Sequence, residues 1–192
     1  MSKVILSSIK SKNSDGSINM AAGDNIYYPG KVVQIVQVRS DNPLTYSSLN
    51  TGNGTTISDL SLTIVPKFSN SLLVVTYMIN GEAPEDNVFL MHKDNGLITD
   101  TGYQGYNNTA GNVRHSGLVS AFYDQNQDST PSNWCMQYFI LSGTTTARTY
   151  APAVRSSSAG SHTFALNRTL NAASQDAYER MVSTGNIMEI AQ

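Results

Sequence analysis

Short runs of β-branched, aromatic and other apolar residues recur along this chain, and turn residues separate them. Such runs at regular spacing are typical of β-strands, and none of the chain shows a sustained helical period. Residues 172–181 allow at most one or two helical turns. The predicted strands cover residues 31–38, 60–65, 71–79, 88–93, 118–123, 134–141, 148–151, 162–166 and 186–190.

The composition supports an all-β fold. Ser (24), Thr (17) and Asn (18) together make up 59 of the 192 residues, whereas charged residues account for only 14%. These small polar residues compete with backbone hydrogen bonds in helices and suit turns and sheet surfaces. Eight or nine strands without an internal repeat predict a β-sandwich or jelly roll, and a propeller is disfavoured.

Charge and hydropathy exclude several function classes. The net charge of −2 lacks the basic character of a nucleic-acid binder. No apolar stretch approaches the roughly 18 residues that span a bilayer. A single cysteine, Cys135, rules out an intrachain disulfide framework and suits synthesis in a reducing cytoplasm. We therefore expect no nucleic-acid partner and no membrane insertion.

Residues 1–30 differ from the rest of the chain. Their short apolar clusters are separated by Ser, Asn, Asp and Gly, and they are too small to bury a core of their own. We predict an extended arm on residues 1–30 and a head domain on residues 31–192; a disordered leader is the alternative for the arm. The candidate docking residues of the arm are Val4, Ile5, Leu6, Ile9, Ile18 and Ile26.

No catalytic motif is present in the sequence. His92, His115 and His162 are far apart and lack the spacing of a zinc site. The Gly-x-Ser-x-Gly nucleophile motif and the glycine-rich phosphate loops are absent. Cys135 stands in an apolar run, which predicts a buried and unreactive thiol. We expect a protein that is not an enzyme and has no cofactor.

One acidic cluster consists of Glu82, Glu85 and Asp86. Carboxylate oxygens bind calcium, but this spacing matches no known cation loop. A solvated loop is the simpler interpretation, and the sequence leaves ion binding at this cluster open.

Several segments of the head resemble bacteriophage virion proteins, mostly of marine phages, that are labelled tail fibre. The resemblance lies in PGKVVQIVQ (29–37), the strand end IVP (64–66), SNSLLV (69–74), HTFALNR (162–168) and the terminal NIMEIAQ (186–192). It covers about five-sixths of the chain. It implies a jelly roll similar to the heads of C1q and tumour necrosis factor, assembled as a homotrimer and carried on a virion made in a host bacterial cytoplasm. The arm resembles the docking or shaft segment of such proteins.

The apolar pattern of the first predicted strand also favours assembly. Residues 32–38 are apolar on both faces, so the strand needs cover on each side. We predict that the first and last strands lie near a threefold axis, with Glu189 among the apolar side chains. For Ile187 and Ile190, the core of a single chain is the alternative. The candidate trimer core is Val33, Ile35, Ile187, Met188 and Ile190.

A Gly- and Asn-rich segment is the candidate receptor-contact loop. Aromatic rings beside flexible amides are common in surfaces that bind sugars or proteins. A tyrosine-bearing surface hairpin without a special role is the alternative. The candidate residues are Tyr103, Gln104, Tyr106, Asn107 and Tyr123.

Three functions remain open at this point. The preferred one is a tail-fibre head that binds a glycan or protein on the host surface and attaches to another virion protein through residues 1–30. The second is a trimeric capsid decoration protein at local threefold positions. The third is a free C1q-like binding module. The receptor, the attachment partner and the copy number are not readable from the sequence.

Overall fold

A computed structural model describes residues 29–49, 52–83, 87–98, 118–119, 131–156, 162–170 and 179–192, with only the backbone described at 118–119. The predicted boundary at residue 30 stays a prediction. The candidate docking residues of the arm lie outside the described residues: Val4, Ile5, Leu6, Ile9, Ile18 and Ile26.

Twelve strands and one 3-10 turn make up the regular structure of the described part of the chain. A front sheet contains β1 (Val32–Ser40), β2 (Leu44–Leu49), β5 (Leu72–Glu82), β9 (Ser132–Leu141), β11 (His162–Leu166) and β12 (Ser183–Ile190). A back sheet contains β3 (Thr55–Thr56), β4 (Leu62–Ile64), β6 (Asn87–Lys93), β7 (Gly96–Leu97), β8 (Leu118–Val119) and β10 (Arg148–Ser156). The 3-10 turn is Ser58–Leu60.

All strand pairs are antiparallel, and the two sheets pack as a sandwich. The predicted all-β sandwich is therefore confirmed, and the strand arrangement is consistent with a jelly roll. The Asp94–Asn95 turn between β6 and β7 has φ of 52° and 66°, as the predicted hairpin requires.

The sequence prediction differs from the structure mainly in the short strands. The 3-10 turn takes Leu60, which was expected in a strand, and β2 was not predicted. Strand β2 reads LTYSSL, whose serines weaken the apolar signal; its pairing with β11 holds it extended. Tertiary pairing thus overrides a weak local preference.

Aromatic side chains fill the space between the two sheets. Phe89 of the back sheet contacts Trp134 and Phe164 of the front sheet, with ring centroids 5.0 and 5.3 Å apart. The buried hydroxyl of Tyr77 crosses the core and donates to the backbone oxygen of Tyr150 at 2.9 Å. These contacts join the two sheets.

A buried carboxylate closes one end of the sandwich. Glu189 of β12 accepts hydrogen bonds from the backbone N–H of Lys67 at 2.8 Å, the N–H of Phe68 at 3.2 Å and the Ser71 hydroxyl at 2.6 Å. The Gln34 side chain of β1 also donates to it. One charged group thereby ties β12, β1 and the connection between β4 and β5 together.

These contacts make stability depend on pH. Burial is the largest single influence and raises the pKa of Glu189, but the hydrogen bonds from Ser71, Gln34, Lys67 and Phe68 together outweigh it and hold this pKa below its ordinary value. A carboxylate with a lowered folded-state pKa stabilises the fold above its unfolded-state pKa. That contribution is lost as pH falls through the folded-state pKa.

We predict that Glu189→Gln lowers the free energy of unfolding by about 2 kcal/mol at pH 7, because charge-assisted hydrogen bonds are lost. Denaturant unfolding at fixed protein concentration, from pH 7 down to pH 2, should show that the difference in free energy of unfolding between the unmodified protein and the variant becomes smaller on acidification. A difference that keeps the same size over the whole range would contradict this role of Glu189.

Candidate assembly surface

Four strands of the front sheet run side by side in the order β1, β12, β5, β9. Their registers align the outward side chains in rows that cross the sheet. We call this outward surface the front face and number its rows from the end where β1 starts. Row 1 is Val32, Ile190, Leu72 and Leu141; row 2 is Ile35, Met188, Val74 and Phe139; row 3 is Gln37, Asn186, Thr76 and Gln137; row 4 is Arg39, Thr184, Met78 and Cys135.

All eight side chains of rows 1 and 2 are apolar. On the β1 rim, Val32 is 42% exposed and Ile35 50%; on the β9 rim, Phe139 is 47% exposed and Leu141 57%. The four central side chains, on β12 and β5, are half-buried. Contiguous apolar patches on a folded domain are often functional, which makes these rows a candidate contact with another molecule.

Rows 3 and 4 are mainly polar. Gln137 donates a long 3.3 Å hydrogen bond to the Thr76 hydroxyl. A half-open groove of about 450 Å³ lies on the β1 side, lined by Gln37, Val38, Arg39, Thr184, Gly185 and Asn186. Arg39 is the only charged residue in the four rows, and it pairs with the exposed Asp41 at 3.0 Å.

The chain makes polar contacts of its own at the other end of the front sheet. Beyond row 4, the backbone of Arg168 pairs with that of Arg180, and the Arg168 side chain donates to the Thr45 hydroxyl. The Asn80 amide also donates to the backbone oxygen of Val182 at 2.7 Å. The chain's own contacts therefore occupy part of the outward side at this end, where Val182 is still 37% exposed, while the apolar rows lie at the other end.

The predicted trimer-core residues divide between two places. Ile35, Met188 and Ile190 lie on the front face, and Val33 is a half-buried residue at the bulge between Val32 and Gln34. Ile187 points the other way and is fully buried in the core of the single chain. Its predicted place at a threefold axis is wrong, because its alternation with Met188 along β12 directs it at the back sheet.

Five members of the apolar rows were not predicted from the sequence. A usable signal existed, because β5 and β9 are apolar at both odd and even positions, as is β1. Only the register brings these residues to the same height as Ile35 and Ile190. The five are Val32, Leu72, Val74, Phe139 and Leu141.

The other sequence-predicted sites give a mixed result. The receptor-contact candidates lie outside the described residues, as do Glu85 and Asp86. Glu82 is buried, and its carboxylate accepts the Leu170 N–H, so it belongs to the fold. Cys135 is exposed on row 4, and its predicted burial is wrong. The receptor-contact candidates are Tyr103, Gln104, Tyr106, Asn107 and Tyr123.

Two histidines of the described residues serve the structure. The imidazole of His92 contacts the Asn53 backbone oxygen and the Thr56 hydroxyl, both at 2.8 Å, and holds this loop on the back sheet. The His162 ring contacts the buried Ser156 hydroxyl at 3.0 Å. Within the described ranges, no group of three potential metal ligands occurs, and no helix is long and apolar enough to cross a membrane.

Comparisons with known proteins add little to this description. No protein-family model and no curated protein matches the chain. Among solved structures, it is similar to a chain of "Structure of infectious bursal disease virus Gx strain", with a TM-score of 0.34 and 13% identity over 92% of this chain. The match covers 42% of the viral chain, so this chain spans less than half of its length. A similarity at that TM-score supports no conclusion about role.

Proposed function

We propose that this chain is a non-enzymatic structural protein of a bacteriophage virion, and that its head assembles as a homotrimer through the front face. The observation that carries the assembly is the pair of apolar rows, eight side chains that cross four strands of the front sheet. The virion role is supported by the sequence resemblance of the head segments to phage virion proteins.

A ring of three copies fits the dimensions of the front face. Four strands spaced ~4.8 Å apart span about 19 Å, and a triangle of that side has an inscribed radius of about 5.5 Å. This is close to half of the ~10 Å that separates packed sheets, so the side chains of three faces fill the centre. Four copies would leave about 9.5 Å from each sheet to the axis, which such side chains do not fill.

The position of Gly30, at the start of the head, supports a common attachment point for the arms. The N–H of Gly30 donates to the backbone oxygen of Ala191 at 2.8 Å, beside row 1. In a ring whose copies are parallel, residue 29 of every copy lies at the same end of the assembly. Three arms that begin together suit docking on one site of another virion protein.

The preferred position is the tail, where the head binds a glycan or protein on the host surface. The candidate contacts for that receptor are Tyr103, Gln104, Tyr106, Asn107 and Tyr123. Capsid decoration at local threefold positions requires the same trimer, and a free binding module requires no virion. The tail and capsid positions differ in copy number, which therefore distinguishes them.

We predict that sedimentation equilibrium gives about 62 kDa for the full chain, three times its 20.8 kDa. The double variant Ile35→Asp/Phe139→Asp should sediment as a folded monomer, because the carboxylates would be buried against apolar neighbours. Asn95→Asp adds a charge to the back-sheet hairpin and should remain a trimer. A monomeric unmodified protein, or a double variant that remains trimeric, would contradict assembly through the front face.

Mass spectrometry of purified particles, normalised to the major capsid protein, measures copies per virion. We predict a few to tens of copies, as expected for a tail fibre. Hundreds of copies would overturn the tail position and favour decoration. Complete absence from particles would reject both virion roles and favour the free binding module.

A further inference from the structure

The two rims of the front face match each other row by row. From the β1 rim to the β9 rim, row 1 runs from Val32 to Leu141 and row 2 from Ile35 to Phe139. Row 3 begins with Gln37 and ends with the same residue type, at Gln137. Counted from row 1, each rim therefore carries two apolar side chains followed by one primary amide.

A closed ring brings these equal heights together. In a ring, the β1 rim of one copy meets the β9 rim of the next, and every copy uses both rims. The rims lie at opposite edges of the four-stranded region. An axis that the front faces surround therefore runs roughly parallel to the strands. Rotation about such an axis preserves height along the strands, and row 1 meets row 1.

The apolar rows alone are too small for a stable contact. Rows 1 and 2 cover about 19 by 14 Å, or roughly 270 Å², from the strand spacing and rise. Stable interfaces bury about 800 Å² per partner, so the contact has to extend further. Row 1 stands at the end of the sheet, next to Gly30 and Ala191. On this face, row 3 is therefore the next surface that the contact covers.

We propose that Gln37 of one copy and Gln137 of the next form an amide pair that sets the register of the ring, an inference that rests on the proposed homotrimer. Gln37 and Asn186 are neighbours in register and line the 450 Å³ groove, which gives the incoming Gln137 room to enter. Each primary amide both donates and accepts, so two amides satisfy one another.

The amide pair acts against wrong registers. Apolar rows tolerate sliding along the strands, because one aliphatic contact replaces another. A shift of two residues would place an amide against Ile35 or Phe139 and bury its polar atoms without a partner. Burying a polar group without a partner is unfavourable, and polar residues fix register in other apolar interfaces in the same way.

Disulfide trapping tests this register directly. In a Cys135→Ser background, which removes the native thiol, Gln37→Cys/Gln137→Cys should give covalent trimers under mild oxidation on a non-reducing gel. The mismatched pair Gln37→Cys/Leu141→Cys separates the thiols by four residues, about 14 Å along the strand. That distance exceeds the reach of a disulfide, so cross-linking should be at least tenfold lower.

Single-cysteine variants identify the geometry. In the same background, Gln37→Cys alone and Gln137→Cys alone should stay uncross-linked, because a ring keeps equal rims apart. Covalent dimers from either single variant would indicate a twofold stack of front faces and overturn the ring. Equal trapping of the matched and mismatched pairs, or no trapping in a protein that sediments as a trimer, would overturn the register alone. A monomeric unmodified protein would overturn the proposed assembly itself.

Discussion

The central strands of the front sheet carry large apolar side chains on both faces, and this constraint organises the molecule. On β5 and β12, the inward residues Val75 and Ile187 fill the sandwich core, while Val74 and Met188 point outward. A single layer of back-sheet strands covers only the inward set. Because contact of apolar side chains with water is unfavourable, the outward set favours any arrangement that covers it.

The fold class was readable from the sequence, but the candidate assembly surface was readable only in part. Alternating apolar runs and the Asp94–Asn95–Gly96 turn predicted most long strands, because these signals are local. Register depends on contacts between residues far apart in the chain. It turned Ile187 inward and brought Phe139 to the height of Ile35, although more than 100 positions separate them. Successive side chains of a strand point to opposite faces, so the sequence of β12 alone could have shown that Ile187 and Met188 point in opposite directions.

The two ends of the front sheet differ in chemistry. Beyond row 4, polar groups such as Glu82 and Asn167 are satisfied by the chain, through the Leu170 N–H and the Ser183 hydroxyl. At the other end, Glu189 is also satisfied, but on the inward side, so the outward rows stay free of charge there. The buried carboxylate thus organises the strand ends that present the apolar rows.

Hydroxyl-radical footprinting of the unmodified full chain tests this account most directly, because it measures the exposure of each side chain in solution. Val65 lies outside the front face and is 52% exposed, so it serves as an internal reference for Ile35, Phe139 and Leu141. After correction for intrinsic reactivity, we expect these three residues to be modified at least fivefold less than Val65. Modification at the level of Val65 would contradict the claim that other copies cover the front face.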